Sequence, residues 1–190
     1  MWDLDLAFAD VVASSSDPNL GAVRLAWWRE RLEELDQGKL PPAEPRLQAV
    51  AGELVPQGAS GLELSRLEDA WQPLLHGWND SAVEGLRLRG RILFATGARL
   101  LGGQPADAEA AGELWSLVDG ARHCSDESVR RSLMAEAKAI DLPRTVPRIV
   151  RPLTVLAAVA APAISPENGR LAYAMAATRH RVIGRFPRGS

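Results

Sequence analysis

Two arginines set seven residues apart, Arg24 and Arg31, fall on the same arc of a helical wheel as Leu20, Val23, Trp27, Trp28, Leu32 and Leu35. Arg29, Glu33 and Asp36 lie outside that arc, so Arg24 and Arg31 are expected to point inward. A buried guanidinium needs a partner. An internal carboxylate, snorkelling at the helix edge, or an anion such as a diphosphate would each supply one. A second cluster, Asp119, His123 and Asp126 or Glu127, recurs at i, i+4 and i+7 or i+8. On one continuous helix these side chains share a face suited to a metal ion or acid–base work. The competing reading ends the helix near Cys124 and has Ser125 or Asp126 cap the next one.

Weaker candidates follow. Asp3 and Asp10 share a face, but two helical turns separate them by about 10.5 Å, too far to chelate one magnesium without a carboxylate between. Glu84, Arg87 and Arg91 read as a solvated stripe, and Gly90 and Gly97 as a site of close helix packing. No phosphate-binding glycine loop, dinucleotide fingerprint, zinc-protease helix or nucleophile elbow is present. Three scattered histidines, one tyrosine and one cysteine leave little for a nucleophilic triad.

The elements that must position these residues are helical. Alanine (30) and leucine (26) make up much of the 190 residues, and no stretch alternates apolar and polar residues with β-branched enrichment. An all-α, single-domain helical bundle is expected. Asp17-Pro18 opens a helix over about 18–37 that Gly38 ends. Further helices are predicted over 46–55, 61–76 (capped by Ser60 and kinked at Pro73), 81–101 (capped by Asp80), from Pro105 to Cys124, and over 126–140, 151–161 and 167–183. Pro143–Pro147 reads as an extended connection. The domain is expected over 1–184, with 185–190 a flexible tail whose Pro187–Ser190 end resembles an expression remnant.

Twenty-two basic against 24 acidic residues give a net charge of −2, which excludes a general field attracting nucleic acid. The lone Cys124 makes no internal disulfide, and the N-terminus lacks the positive region and apolar run of a signal peptide; a cytoplasmic protein is expected. The apolar run Pro152–Ile164 is 13 residues, short of the roughly 20 that span a bilayer. No basic amphipathic helix is foreseen, although peripheral membrane contact stays open.

Arg24-Leu25-Ala26-Trp27-Trp28-Arg29-Glu30, followed by Pro41-Pro42-Ala43-Glu44-Pro45-Arg46-Leu47, resembles the squalene/phytoene synthase family. It looks closest to the divergent bacterial branch related to a mitochondrial assembly factor for respiratory complex I, over about residues 2–160. The resemblance implies the isoprenoid synthase type of helical fold. Active members carry two aspartate-rich motifs on facing helices, where magnesium bridges them to a prenyl diphosphate. The first, Asp-Asp-x-x-Asp, corresponds to Ala9–Ala13 and keeps only Asp10. The second, Asn-x-x-Arg-Asp-x-x-x-Asp, corresponds to Asp119–Glu127; Arg122 is kept, while His123 and Glu127 replace the two aspartates. Magnesium prefers hard oxygen ligands, so these changes weaken a metal cluster and the help it gives to diphosphate ionisation.

The resemblance thus implies a catalytically degenerate relative acting as a binding or assembly module, with no resident cofactor. Its alternative is an active magnesium-dependent head-to-head prenyltransferase. There Asp10, Asp119, Asp126 and Glu127 would hold Mg2+, and Arg24, Arg31 and Arg122 a farnesyl or geranylgeranyl diphosphate. The partner implied is an isoprenoid diphosphate, a lipid or a protein, and not nucleic acid. Family members also begin earlier, so a first helix that helps close the cavity is expected to be missing.

Overall fold

Caps and prolines set the helix starts. Asp17 accepts a hydrogen bond from the Asn19 amide at 2.8 Å and Pro18 takes the first helical position. Ser60 Oγ accepts from the Glu63 amide at 3.2 Å, and Gly38 leaves its helix with φ of 75°. A computed structural model describes residues 1–164 and 170–187. Among them run α1 (Trp2–Ser14), α2 (Pro18–Asp36), α3 (Pro45–Ala49), α4 (Gly61–Ser65), α5 (Leu67–Trp71), α6 (Asp80–Leu100), α7 (Glu109–His123), α8 (Glu127–Lys138), α9 (Arg151–Ala160) and α10 (Arg170–Ile183). No strand occurs among the described residues, so the fold is all-α.

Several boundaries differ from expectation for local reasons. The stretch over 46–55 is α3 followed by a π-helical turn, Val50–Leu54. The 61–76 segment divides at Arg66 into α4 and α5 and then tightens into a 3-10 turn, Gln72–His76, where Pro73 lacks the amide an α-helix needs. Asn79, not Asp80, caps α6, its side chain accepting from the Ala82 amide at 3.0 Å. Pro105–Asp107 is a separate 3-10 turn before α7. Of the helix expected over 167–183, residues 167–169 lie outside the described residues. No helix is long and apolar enough to cross a membrane among the described residues.

The antiparallel pair α6 and α7 forms the axis of the molecule. Gly90 and Gly112 face each other there, each against the other's carbonyl, which is the close packing that Gly90 signals in the sequence. On one side α1, α2, α4 and α5 bury Phe8, Leu25, Leu32, Leu64 and Leu67. On the other, α8 and α9 each pack on α7 and α10 packs on α9, with Leu133, Val150 and Ala157 buried. Asp36, at the end of α2, reaches across to cap α4, accepting from the Gly61 and Leu62 amides at 2.7 and 2.9 Å and from Ser60 Oγ at 2.7 Å. Partial burial would raise the Asp36 pKa, but these hydrogen bonds outweigh it and hold the carboxyl below its usual value.

Phe186, expected in a flexible tail, is 6% exposed and stacks on His180 with ring centroids 4.6 Å apart. Burying an aromatic ring is worth more than leaving it in water, so the packed chain runs past residue 184; residues 188–190 lie outside the described residues. His180 is itself fully buried, its Nε2 2.8 Å from Thr154 Oγ1. Burial lowers its pKa from 6.5, the Arg185 backbone opposes this, and the Arg151 charge adds to it. A folded-state pKa below the unfolded value makes the unfolded chain bind the proton first. The stability that neutral His180 supports is therefore complete above pH 6.5 and lost as pH falls below it. Thermal denaturation from about pH 8 to about pH 5 should show a fall in Tm that His180→Phe removes. An equal fall in both chains would refute this.

Candidate functional site

Helices α1, α6 and α7 meet at one buried guanidinium. Arg89 sits three residues after Leu86 and four before Leu93, both buried, so helical periodicity turns it into the core. Asp5 is carried inward in the same way on the face of α1 that buries Leu4 and Phe8. Arg89 and Asp5 are 5% and 2% exposed. Arg89 Nε donates to Asp5 Oδ1 at 2.9 Å and Nη2 to Asp5 Oδ2 at 2.6 Å, a bidentate pair. Nη1 donates to Asp119 Oδ2 on α7 at 2.8 Å. Trp71 Nε1 adds a bond to Asp5 Oδ1 at 2.9 Å, and the rings of Trp71 and Trp115 stack on the guanidinium, 4.9 and 4.8 Å from its carbon.

Burial alone would lower the Arg89 pKa. The hydrogen bonds and charges of Asp5 and Asp119 outweigh it and hold the group above its usual range. A guanidinium so held transfers no proton, and both Asp5 oxygens are engaged. What this arrangement does is cross-link three helices and fix Asp119 near the surface, its side chain 26% exposed. Asp119 Oδ1 lies 3.5 Å from Nδ1 of the exposed His123.

The residues singled out in the sequence do not converge. Arg24 is exposed and bonds Ser14 Oγ at 3.1 Å, and Arg31 is half-buried against Glu34 at 2.9 Å. The buried seam of α2 is Gly21, Leu25, Trp28, Leu32 and Leu35, leaving Leu20, Val23 and Trp27 exposed, so the inward placement of the two arginines is corrected. A broad apolar arc has two edges, and only the neighbouring helices decide which is covered. Arg29, placed outside that arc, instead reaches the buried Glu68 at 3.1 Å. Asp10 is exposed, 3.5 Å from Arg46, and Arg122 is exposed. Helix α7 ends at His123, so Asp126 and Glu127 do not continue the Asp119 stripe. Asp126 caps α8, accepting from the Ser128 and Val129 amides at 2.7 and 3.1 Å. Its bond from Ser128 is the main reason its pKa is lowered. Glu127 pairs with Arg130 and Arg131.

The stripe expected to be solvated is an ion network instead. Arg87 on α6 bridges Glu113 on α7 at 3.0 Å and Glu136 on α8 at 2.6 Å, and Arg91 joins Glu113 at 2.9 Å. Among the described residues no three His, Cys, Asp or Glu side chains converge to hold a metal ion. With Asp119 held by Arg89, Asp126 spent on a cap and Glu127 on arginines, the residues present do not fit a magnesium cluster. A cavity of about 420 Å3 opens between α7, α8 and the Ile140–Arg144 segment, and none of the candidate ligands lines it.

Asp5 and Arg89 were missed in the sequence. The signal was there, because each interrupts an apolar stripe at i, i+3, i+4 spacing, Asp5 beside Leu4 and Phe8, Arg89 between Leu86 and Leu93. No protein-family model, curated protein or solved structure matches the chain.

Proposed function

We propose that the chain is a catalytically degenerate relative of the squalene/phytoene synthases that works as a binding or assembly module. The observation that carries this reading is the Arg89 guanidinium between Asp5 of α1 and Asp119 of α7. By the resemblance, α1 holds the remnant of the first aspartate motif and α7 the start of the second. Between such helices an active member needs a cation that is exchangeable and has open coordination positions for diphosphate oxygens. A guanidinium pinned by two carboxylates and two indole rings gives the charge balance and none of the open positions.

The space beside it supports the same reading. Trp2, Phe94 and Trp115 pack edge-to-face and tilted at centroid distances of 5.1 to 6.1 Å, filling the region between α1, α6 and α7 with rings. Binding then falls to the outer surface of the bundle. Incubation with farnesyl or geranylgeranyl diphosphate and magnesium should release no diphosphate above the protein-free background. Magnesium-dependent product that disappears in Asp119→Asn combined with Glu127→Gln would overturn the proposal in favour of the active prenyltransferase.

A further inference from the structure

The outward face of α10 is the wrong kind of surface for water. Leu171, Met175 and Val182 are 78%, 68% and 68% exposed, and at about 100° per residue they share one narrow arc with Thr178. Arg179 and Arg181, both exposed, lie on the two sides of that arc, while Ala176 and His180 on the opposite side are buried against the bundle. The helix is thus amphipathic twice over, packing through one face and presenting aliphatic groups flanked by arginines on the other.

Charge is divided along the chain in the same sense. Residues 142–190 hold eight arginines and a single acidic residue, Glu167, although the whole chain has net charge −2. Part of that excess is gathered beside α10. Arg144, Arg179 and Arg185 line one cavity of about 320 Å3 together with Phe186. Among the described residues none of the three forms an ion pair. The surface continues into the preceding segment, where Val146 N donates to Gly184 O at 3.0 Å and Arg151 Nη1 to Val182 O at 2.7 Å. That tie joins the Val146–Arg151 segment, which carries the exposed Arg148, to the end of α10.

We infer that this face docks on a membrane of anionic phospholipids, the aliphatic stripe entering the acyl boundary and the Arg144–Arg179–Arg185 cavity taking headgroup phosphate. Both halves of an interfacial helix are present, an apolar stripe and flanking cations. A protein partner would be expected to find aromatic anchors here, and the exposed arc of α10 has none. Charge complementarity and the absence of any acidic side chain on that arc fit a negatively charged bilayer surface. No basic amphipathic helix is foreseen in the sequence, because the arginines follow the aliphatic residues at spacings that look like an ordinary buried helix. The inference is independent of the proposed loss of prenyl transfer, since it uses none of the same residues.

Flotation of the 190-residue chain with vesicles tests it. Vesicles of equal parts phosphatidylcholine and phosphatidylglycerol should carry the protein, vesicles of phosphatidylcholine alone should not, and added salt should weaken the binding. Met175→Asp should cut partitioning at least about tenfold. The triple change Arg144→Gln, Arg179→Gln and Arg185→Gln should cut it roughly a hundredfold. All four positions are at or near the surface, so an unchanged Tm separates these effects from misfolding. Equal flotation with both vesicle types, no flotation with either, or a Met175→Asp chain that binds like the parent would each overturn the inference. The last result would mean anion capture without insertion.

Discussion

Replacing Arg89 with methionine is expected to remove about 3–5 kcal/mol of folding stability, a large share of the roughly 5–15 kcal/mol a domain of this kind has. The size follows from what is left behind. Methionine fills most of the space between Trp71 and Trp115 but leaves the Asp5 carboxylate, 2% exposed, with the Trp71 indole as the donor that remains to it from outside its own helix. A buried carboxylate without its cation either pays a heavy desolvation cost or takes up a proton. Urea denaturation measures the loss directly. Asp5→Leu in the same background should recover much of it, because replacing a buried ion pair by apolar groups is often neutral whereas breaking it is not. An Arg89→Met chain within about 1 kcal/mol of the parent would contradict the view that the triad holds α1, α6 and α7 together.

Gly112→Val should be nearly as damaging, with a loss of roughly 3 kcal/mol. Taken alone, replacing a mid-helix glycine favours the helix by several tenths of a kcal/mol to about 1 kcal/mol. Tertiary packing reverses the sign here. A Cβ on Gly112 would overlap the Gly90 carbonyl and sit 2.8 Å from Phe94 Cβ. The α6–α7 pair would have to separate, and with it the Arg87–Glu113 and Arg89–Asp119 contacts that span the crossing. Gly52 is the control, because an added Cβ there meets nothing within 4 Å. Gly52→Ala should leave the denaturation midpoint unchanged or raise it. A Gly112→Val chain as stable as the parent would show that the helices do not pack at the distance described.

Much of the fold is written locally. Asp17-Pro18, Ser60, Gly38 and the Pro143–Pro147 connection each act over a few residues, and each element they bound lies where those signals place it. Arg66 gives no such signal, so the break between α4 and α5 is invisible until tertiary packing imposes it. The candidate site was far less legible. The apolar arc of α2 is wide enough to face either way and so points Arg24 and Arg31 inward, whereas the neighbouring elements cover only the seam from Gly21 to Leu35. The spacing of Asp119 to His123 and Asp126 points along its own helix, but its charged hydrogen-bond partner, Arg89, is 30 residues away. Asp5 and Arg89 are 84 residues apart, and no periodicity connects two charges on different helices.

Under the proposed function, the helices that would face each other across a diphosphate site, α1 and α7, are locked by the Arg89 cation. Isothermal titration of the chain with farnesyl thiodiphosphate, with and without magnesium, tests it most directly. No magnesium-dependent heat and no saturable binding that Asp119→Asn would alter are expected. Tight binding that requires magnesium and is lost in that variant would contradict it, and would mean that Asp119 exchanges Arg89 for metal when substrate arrives.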